Sequence, residues 1–404
     1  MTVQNTTLTW EQLLELAQNN TPTRRVRRPG QLPSTAPIPS SLHKLPPDAT
    51  PPVLLYRDTN SWCPFCERVW FALEEKEIPF ATEFIDLDNK PKWYTDLVPT
   101  AQVPAAKSEG ELVYGSKDIL LALEARFSDS PLLPADPQEN AIALQLIEDA
   151  ETNGSKEVDY KFLKGLADAD DLATLQTSFE AKLDELEQAL AKYPDSSYFL
   201  STFSLVDIMY APHLDRLAAS LPVYRNYHIK DNPRFPNLNA WLAALNERPA
   251  FNRVKTDATT FNLIMRRLWD LEPIAQLPLD PVLSEAIQYR AEAAERLSDN
   301  YEAAIADIIK NSGAQALVRD GDISAVKDAI EAHLKLLAEY LLYGQTQLPW
   351  GRVGGKENID PFAAAVGAIA LAYVRNRICA PRDMSANAAI AFRAAADKVL
   401  ASIY

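Results

Sequence analysis

Three cysteines stand in a chain of 404 residues. That is too few for a disulfide framework, and the first thirty residues lack the apolar core of a secretory signal, so a cytoplasmic protein is expected. Histidine is nearly as scarce: His43, His213, His228 and His333 are scattered without the paired spacing of metal ligands. They do not support a Ser-His-Asp arrangement either. No run near the end reaches the roughly 20 apolar residues that span a bilayer. The longest there, PFAAAVGAIALAYV at 361–374, is broken by Gly367 and followed by Arg375 and Arg377, which predicts a buried helix and no membrane partner. Positive charge is short as well. Lys plus Arg is 40 against 55 Asp plus Glu, and the net charge of -15 repels a phosphate backbone, so nucleic acid is not expected as a partner. The one basic cluster, Arg24, Arg25, Arg27 and Arg28, reads as solvated linker charge.

What is present is enough to build a core. The 47% hydrophobic and 24% charged composition predicts a folded protein, and the length predicts two or three packed units. Residues 1–50 comprise a short amphipathic helix, LTWEQLLELAQ, and a Pro-rich extension that cannot bury its backbone in a sheet. From 51 to 130 the pattern is strand, helix, strand, helix, then a short strand ending at Val103-Pro104, a turn at Glu109-Gly110, the strand ELVY and a helix from near Ser116. A parallel pair followed by a hairpin suits a small α/β sheet. Residues 138–255 read as all-helical, with Ser204 and Asp207 in the spacing of a capping box that starts a helix. The remainder, 256–404, continues as helices, with amphipathic stretches at 281–311, 322–343, 361–378 and 385–403.

The segment TNSWCPFCERVWFALEEKEIPF, residues 59–80, holds two of the three cysteines. Cys63 follows a strand and precedes Pro64, a residue tolerated in the first turn of a helix because its missing N–H has no intrahelical partner there. Cys63 is therefore expected at a helix N-terminus, where aligned peptide dipoles and open N–H groups favour an anion and so a nucleophilic thiolate. Cys66, one turn on, is either a resolving thiol able to attack a mixed disulfide on Cys63 or a buried small apolar residue. Half a zinc site needs two further ligands, and none is in view, so no metal is expected.

These residues resemble the glutathione transferase superfamily, most closely its cysteine-type members, the omega-like enzymes and the iota class of photosynthetic organisms. The resemblance is carried by CPFCERVWFALEEKEIPF, IDLDNKPKWY, QVP and YGSKDI, then by FSLVDI and FPNLNAWLAALNERPAFNRV, in order over about residues 53–255. It implies an α/β thioredoxin-like N-terminal domain followed by an all-α domain, with a further helical C-terminal extension that favours the iota class.

By resemblance Cys63 takes the catalytic position, with Phe65 beside it. Lys90 contacts the glycyl carboxylate of glutathione, and Val103, before a cis Pro104, turns its backbone N–H and C=O to the cysteinyl part. Ser116 binds the γ-glutamyl carboxylate. The family's usual acid before that serine is replaced here by Gly115, and Asp118 is the acid that stands in for it. Glutathione is the implied co-substrate, a small-molecule or protein mixed disulfide the second substrate, and a homodimer the common assembly. The implied activity is glutathione-dependent thiol transfer, removing glutathione from mixed disulfides. The alternative is a non-catalytic ligand-binding or scaffold protein on the same body, in which Arg375, Arg377 and Arg382 near Cys379 hold an anionic group or form a basic helix end and loop. A thioredoxin-type disulfide reductase, a third reading, has no need of the helical domain.

Overall fold

The computed structural model describes residues 8–21, 45–46, 49–152, 156–165, 172–276, 279–318, 323–344 and 360–403. The arginine cluster at 24–28, His43 and most of the Pro-rich segment lie outside the described residues. In chain order the helices are α1 (Trp10–Asn20), α2 (Pro64–Glu75), α3 (Lys92–Leu97), α4 (Ser116–Arg126), α5 (Pro137–Thr152), α6 (Lys156–Lys164), α7 (Leu172–Leu190), α8 (Leu205–Arg225) and α9 (Pro236–Asn246). They continue with α10 (Pro249–Val254), α11 (Ala258–Trp269), α12 (Pro281–Glu285), α13 (Ile287–Asp299), α14 (Tyr301–Asn311), α15 (Ser324–Tyr343), α16 (Pro361–Arg377) and α17 (Ala386–Ile403). The strands are β1 (Val53–Asp58), β2 (Phe80–Ile85), β3 (Ala105–Ser108) and β4 (Glu111–Tyr114). The chain divides into two compact units, one holding β1–β4 with α2–α11 and the other α1 with α12–α17.

In the first unit β1 runs parallel to β2, with Val53 opposite Phe80, and antiparallel to β3. The sheet order β2-β1-β3-β4, with α2 connecting the parallel pair, is the thioredoxin-like arrangement. β3 and β4 form a hairpin whose turn residues Glu109 and Gly110 both have positive φ, 52° and 88°, as a tight primed turn requires. The strand expected to end at Val103-Pro104 instead begins after it, at Ala105. Proline has no N–H to give a ladder, so pairing starts once it is passed.

The helical half of this unit is built round α8, whose residues 205–224 are all buried. Ser204 is its N-cap, and Asp207 returns the reciprocal bond by accepting from the Ser204 N–H at 2.8 Å. Asp207 also accepts from Trp241 Nε1 at 2.8 Å, and burial pushes its carboxyl up to about 6.

The second unit has its own core. Trp10 of α1 stacks on Tyr301 with centroids 4.5 Å apart and donates to Glu331, while Leu13 and Ala17 are fully buried with the alanine-rich face of α13. The N-terminal helix is thus one wall of the unit formed by the C-terminal helices. The stretch 281–311 is three helices rather than one continuous pattern. Ala286 is extended (φ -67°, ψ 122°), and the Asn300 side chain donates to the Arg296 carbonyl at the end of α13. The run at 361–374 lies in α16, with Val366, Ala370, Leu371 and Val374 in the core. Among the described residues no helix is long and apolar enough to cross a membrane.

Candidate active site

β1 ends at Asp58, and the five-residue loop after it, 59–63, leads into α2. Arg57 braces this loop: its guanidinium donates to Ser61 Oγ at 2.7 Å and lies over the rings of Trp70 and Phe84 at 4.1 and 4.8 Å. Cys63 is the N-cap of α2, extended at φ -68° and ψ 116°, with Pro64 in the first turn. Its side chain makes no capping bond to the helix. The thiol therefore stands at the positive end of the helix without capping its backbone N–H groups.

Beneath it sits Asp58, 1% exposed. Asp58 Oδ2 accepts from the N–H groups of Trp62 at 2.8 Å and Cys63 at 3.4 Å, while its Oδ1 has no hydrogen-bond partner. A carboxylate oxygen of Asp58 and the sulfurs of Cys63 and Cys66 lie within 4.8 Å of one another. This adds a third group to the two thiols, one short of the four ligands of a closed zinc site. Cys66 is 2% exposed, and its thiol is pushed well up, first by burial and then by its hydrogen bond to Cys63. At neutral pH Cys66 is a protonated S–H beside the Cys63 sulfur.

Two buried arginines tie this helix start to its surroundings. Arg216 of α8 donates to the Trp62 carbonyl at 2.8 Å and to Glu67 Oε2 at 2.8 Å, and its guanidinium lies 4.7 Å from the Phe261 ring. Burial pushes Glu67 up to about 7 in spite of that guanidinium. Arg68, 3% exposed, donates to the Met209 carbonyl, to Glu151 at 3.1 Å and to Ser116 Oγ at 3.3 Å. Its charge attracts Cys63, and it lies 5.1 Å from the Phe65 ring. Phe65 meets His213 edge-on at 6.3 Å, His213 lies 5.3 Å from Tyr160, and Tyr160 meets Trp269 at 5.0 Å. An aromatic wall from α6, α8 and α11 so continues from the residue beside the cysteines.

The structure joins Cys63, Phe65 and Ser116 through Arg68 and the α2 N-terminus. Ser116 opens α4 and is 4% exposed. Gly115 is the N-cap with φ +88°, a conformation L side chains rarely adopt, so an acid there would be strained. The Val103-Pro104 peptide is cis, and the Val103 N–H and C=O have no hydrogen-bond partner among the described residues. Lys90 stands exposed in the loop between β2 and α3.

The family model described as "Glutathione S-transferase, N-terminal domain" matches residues 62–126, and that described as "Glutathione S-transferase, C-terminal domain" matches 168–244. "Protein IN2-1 homolog A" of Oryza sativa subsp. japonica is 32% identical over 199 residues, covering 48% of this chain and 78% of that protein. "Glutathione S-transferase L1" of Arabidopsis thaliana is 31% identical over 227 residues, covering 53% of this chain and 90% of the relative. Among solved structures, glutathione transferase Omega 3C from Trametes versicolor aligns at 24% identity with a TM-score of 0.47, over 58% of this chain and 96% of that one. This chain belongs to the glutathione transferase superfamily. Members of the superfamily use glutathione.

Asp58, Arg68 and Arg216 were not picked out from the sequence as parts of this glutathione transferase's site. Asp58 and Arg68 carried a signal, because each is a charge set among apolar residues of the strand or helix that flanks the cysteines, Asp58 after Arg57 in VLLYRD and Arg68 after Glu67 in PFCERVWFALEE. Arg216 carried none, since nothing local in α8 marks it as the partner of a residue in α2.

Proposed function

We propose that this glutathione transferase is of the cysteine type and removes glutathione from mixed disulfides. The observation that supports it is the Cys63 thiol at the α2 N-cap, uncapped, with the Cys66 S–H beside it. The Cys63 thiolate attacks the glutathionyl sulfur of the mixed disulfide. A Cys63–glutathione disulfide forms, the substrate's S–S bond breaks, and the substrate leaves as a thiolate that takes up a proton. A second glutathione thiolate then attacks the glutathionyl sulfur on Cys63, releasing oxidised glutathione and regenerating the Cys63 thiolate. Dehydroascorbate or a glutathionyl-quinone would use the same covalent intermediate with a different second substrate.

In this reading the γ-glutamyl carboxylate sits at the N-terminus of α4 on the Ser116 hydroxyl. Asp118 takes the amino group, since its Oδ2 lies 3.8 Å from where a side chain at position 115 would begin. Val103 offers its N–H and C=O to the cysteinyl part. Lys90 faces the glycyl carboxylate, and Phe65 with the aromatic wall faces the second substrate. The reaction requires a reducing compartment such as the cytosol, and a homodimer is the assembly proposed. The test is reduction of a glutathionylated small disulfide, with intact-mass detection of a glutathione adduct on Cys63. Full activity in Cys63→Ser would overturn the mechanism.

A further inference from the structure

The unit formed by the C-terminal helices carries a half-open cavity of ≈ 210 Å³ whose apolar lining includes Leu297, Val374, Met384 and Phe392. Three arginines also line it, and two are already matched. Arg377 Nε lies 3.3 Å from Asp307, and Arg382 holds Asp383 through two hydrogen bonds of 2.8 and 2.7 Å, with both acids also in the lining. Arg375, the remaining cation of the basic grouping seen in the sequence, is paired with Asp397. Those charges cancel within the protein.

Arg296 of α13 does not follow this pattern. It is 4% exposed, its Nε has no hydrogen-bond partner, and among the described residues no acid forms an ion pair with it. Asn300, the residue that caps the C-terminus of α13 and also lines the cavity, has a buried Oδ1 without a partner. A buried guanidinium left unmatched is costly, and native interiors normally pair such charges. An apolar chamber with one unmatched cation and an unmatched acceptor has the composition of a ligand site rather than of a core.

We propose that this cavity binds a small, largely apolar molecule carrying a single carboxylate, with Arg296 as its counter-ion. The planar fork of the guanidinium suits a carboxylate. A phosphate dianion would bring a second negative charge toward Asp307 and Asp383, for which no cation is left over. The volume lies below the ~300–1,000 Å³ of sites for drug-sized ligands, which limits the ligand to a small molecule.

Isothermal titration of the full chain with cinnamate, and with cinnamyl alcohol as its uncharged analogue, tests this in the presence of saturating glutathione. Cinnamate should bind once per chain, roughly tenfold more tightly than the alcohol, the scale of one charge-assisted pair. Arg296→Met should bring cinnamate down to the affinity of the alcohol with glutathione-dependent activity unchanged. Ala304→Phe, which fills the cavity from α14, should remove binding of both, and it tests the site independently should Arg296→Met fail to fold. Absence of cinnamate binding, equal binding of acid and alcohol, or binding that survives Ala304→Phe would each overturn the proposal.

Discussion

Arg68 Nη1 stands 3.3 Å from Ser116 Oγ, linking the helix that carries the cysteines to the first residue of α4. A guanidinium only donates, so the serine oxygen must accept, and the hydroxyl hydrogen is left to point elsewhere. At the N-terminus of α4 an anion is the natural recipient. Arg68 therefore orients Ser116 as a donor toward a carboxylate placed there.

Arg68→Lys keeps the charge but cannot reach the Met209 carbonyl, Glu151 and Ser116 together. The expected outcome is a KM for glutathione raised about five- to thirtyfold, corresponding to the ~1–2 kcal/mol of one misdirected hydrogen bond, with kcat changed far less. Steady-state kinetics with glutathione varied would check it. An unchanged KM would mean that Ser116 does not need the arginine.

Cys66 is protonated at neutral pH because burial and its bond to Cys63 push the thiol well up. It serves best as a hydrogen-bond donor to the Cys63 sulfur. Cys66→Ser keeps a donor, so it should retain activity within about threefold and show no build-up of the Cys63–glutathione adduct by intact mass. Accumulation of that adduct would instead identify Cys66 as the resolving nucleophile.

Glu67 gives the site a pH-dependent contribution to stability. Its native carboxyl keeps its proton up to about 7, whereas the unfolded one loses it near 4.5. Between those values the native state binds more protons, so the contribution is fully present below about 4.5 and is lost as pH rises toward 7. Glu67→Gln cannot titrate. Measured by urea unfolding, its stability relative to the wild type should climb by up to about 1.4 kcal/mol per pH unit across this window. A difference that stays constant from about pH 5 to pH 7.5 would show that Glu67 is not held protonated.

The features legible in the sequence are those written in neighbouring residues. Ser204 and Asp207 are three positions apart and announce the start of α8; Cys63 and Pro64 announce α2; Glu109-Gly110 announces the hairpin turn. What was not legible depends on partners far along the chain. Ser116 is 48 residues from Arg68, and Trp62 is 154 from Arg216. No periodicity records which buried cation will meet which carbonyl. The same holds for α1, whose apolar face matches the spacing of any amphipathic helix until Tyr301 and Glu331 are seen against Trp10.

Gly367 illustrates how a residue that looks like a weakness in a helix can be required by packing. In an exposed helix interior, Gly to Ala stabilises by about 1 kcal/mol, because glycine loses more backbone freedom on folding. In α16, however, a Cβ at position 367 would lie inside contact distance of the His333 imidazole of α15. His333 is 7% exposed, and its Nδ1 lies 2.7 Å from the Ala329 carbonyl, so the ring has little freedom to swing aside. Gly367→Ala should therefore destabilise this unit by on the order of 1–3 kcal/mol, the usual cost of overpacking. The double variant Gly367→Ala with His333→Ala removes the clash and should recover most of that loss. Thermal unfolding of the four proteins in this cycle measures the coupling, which must be favourable to the double variant and larger than about 0.5 kcal/mol. Additive losses would show that the helices do not meet at this glycine.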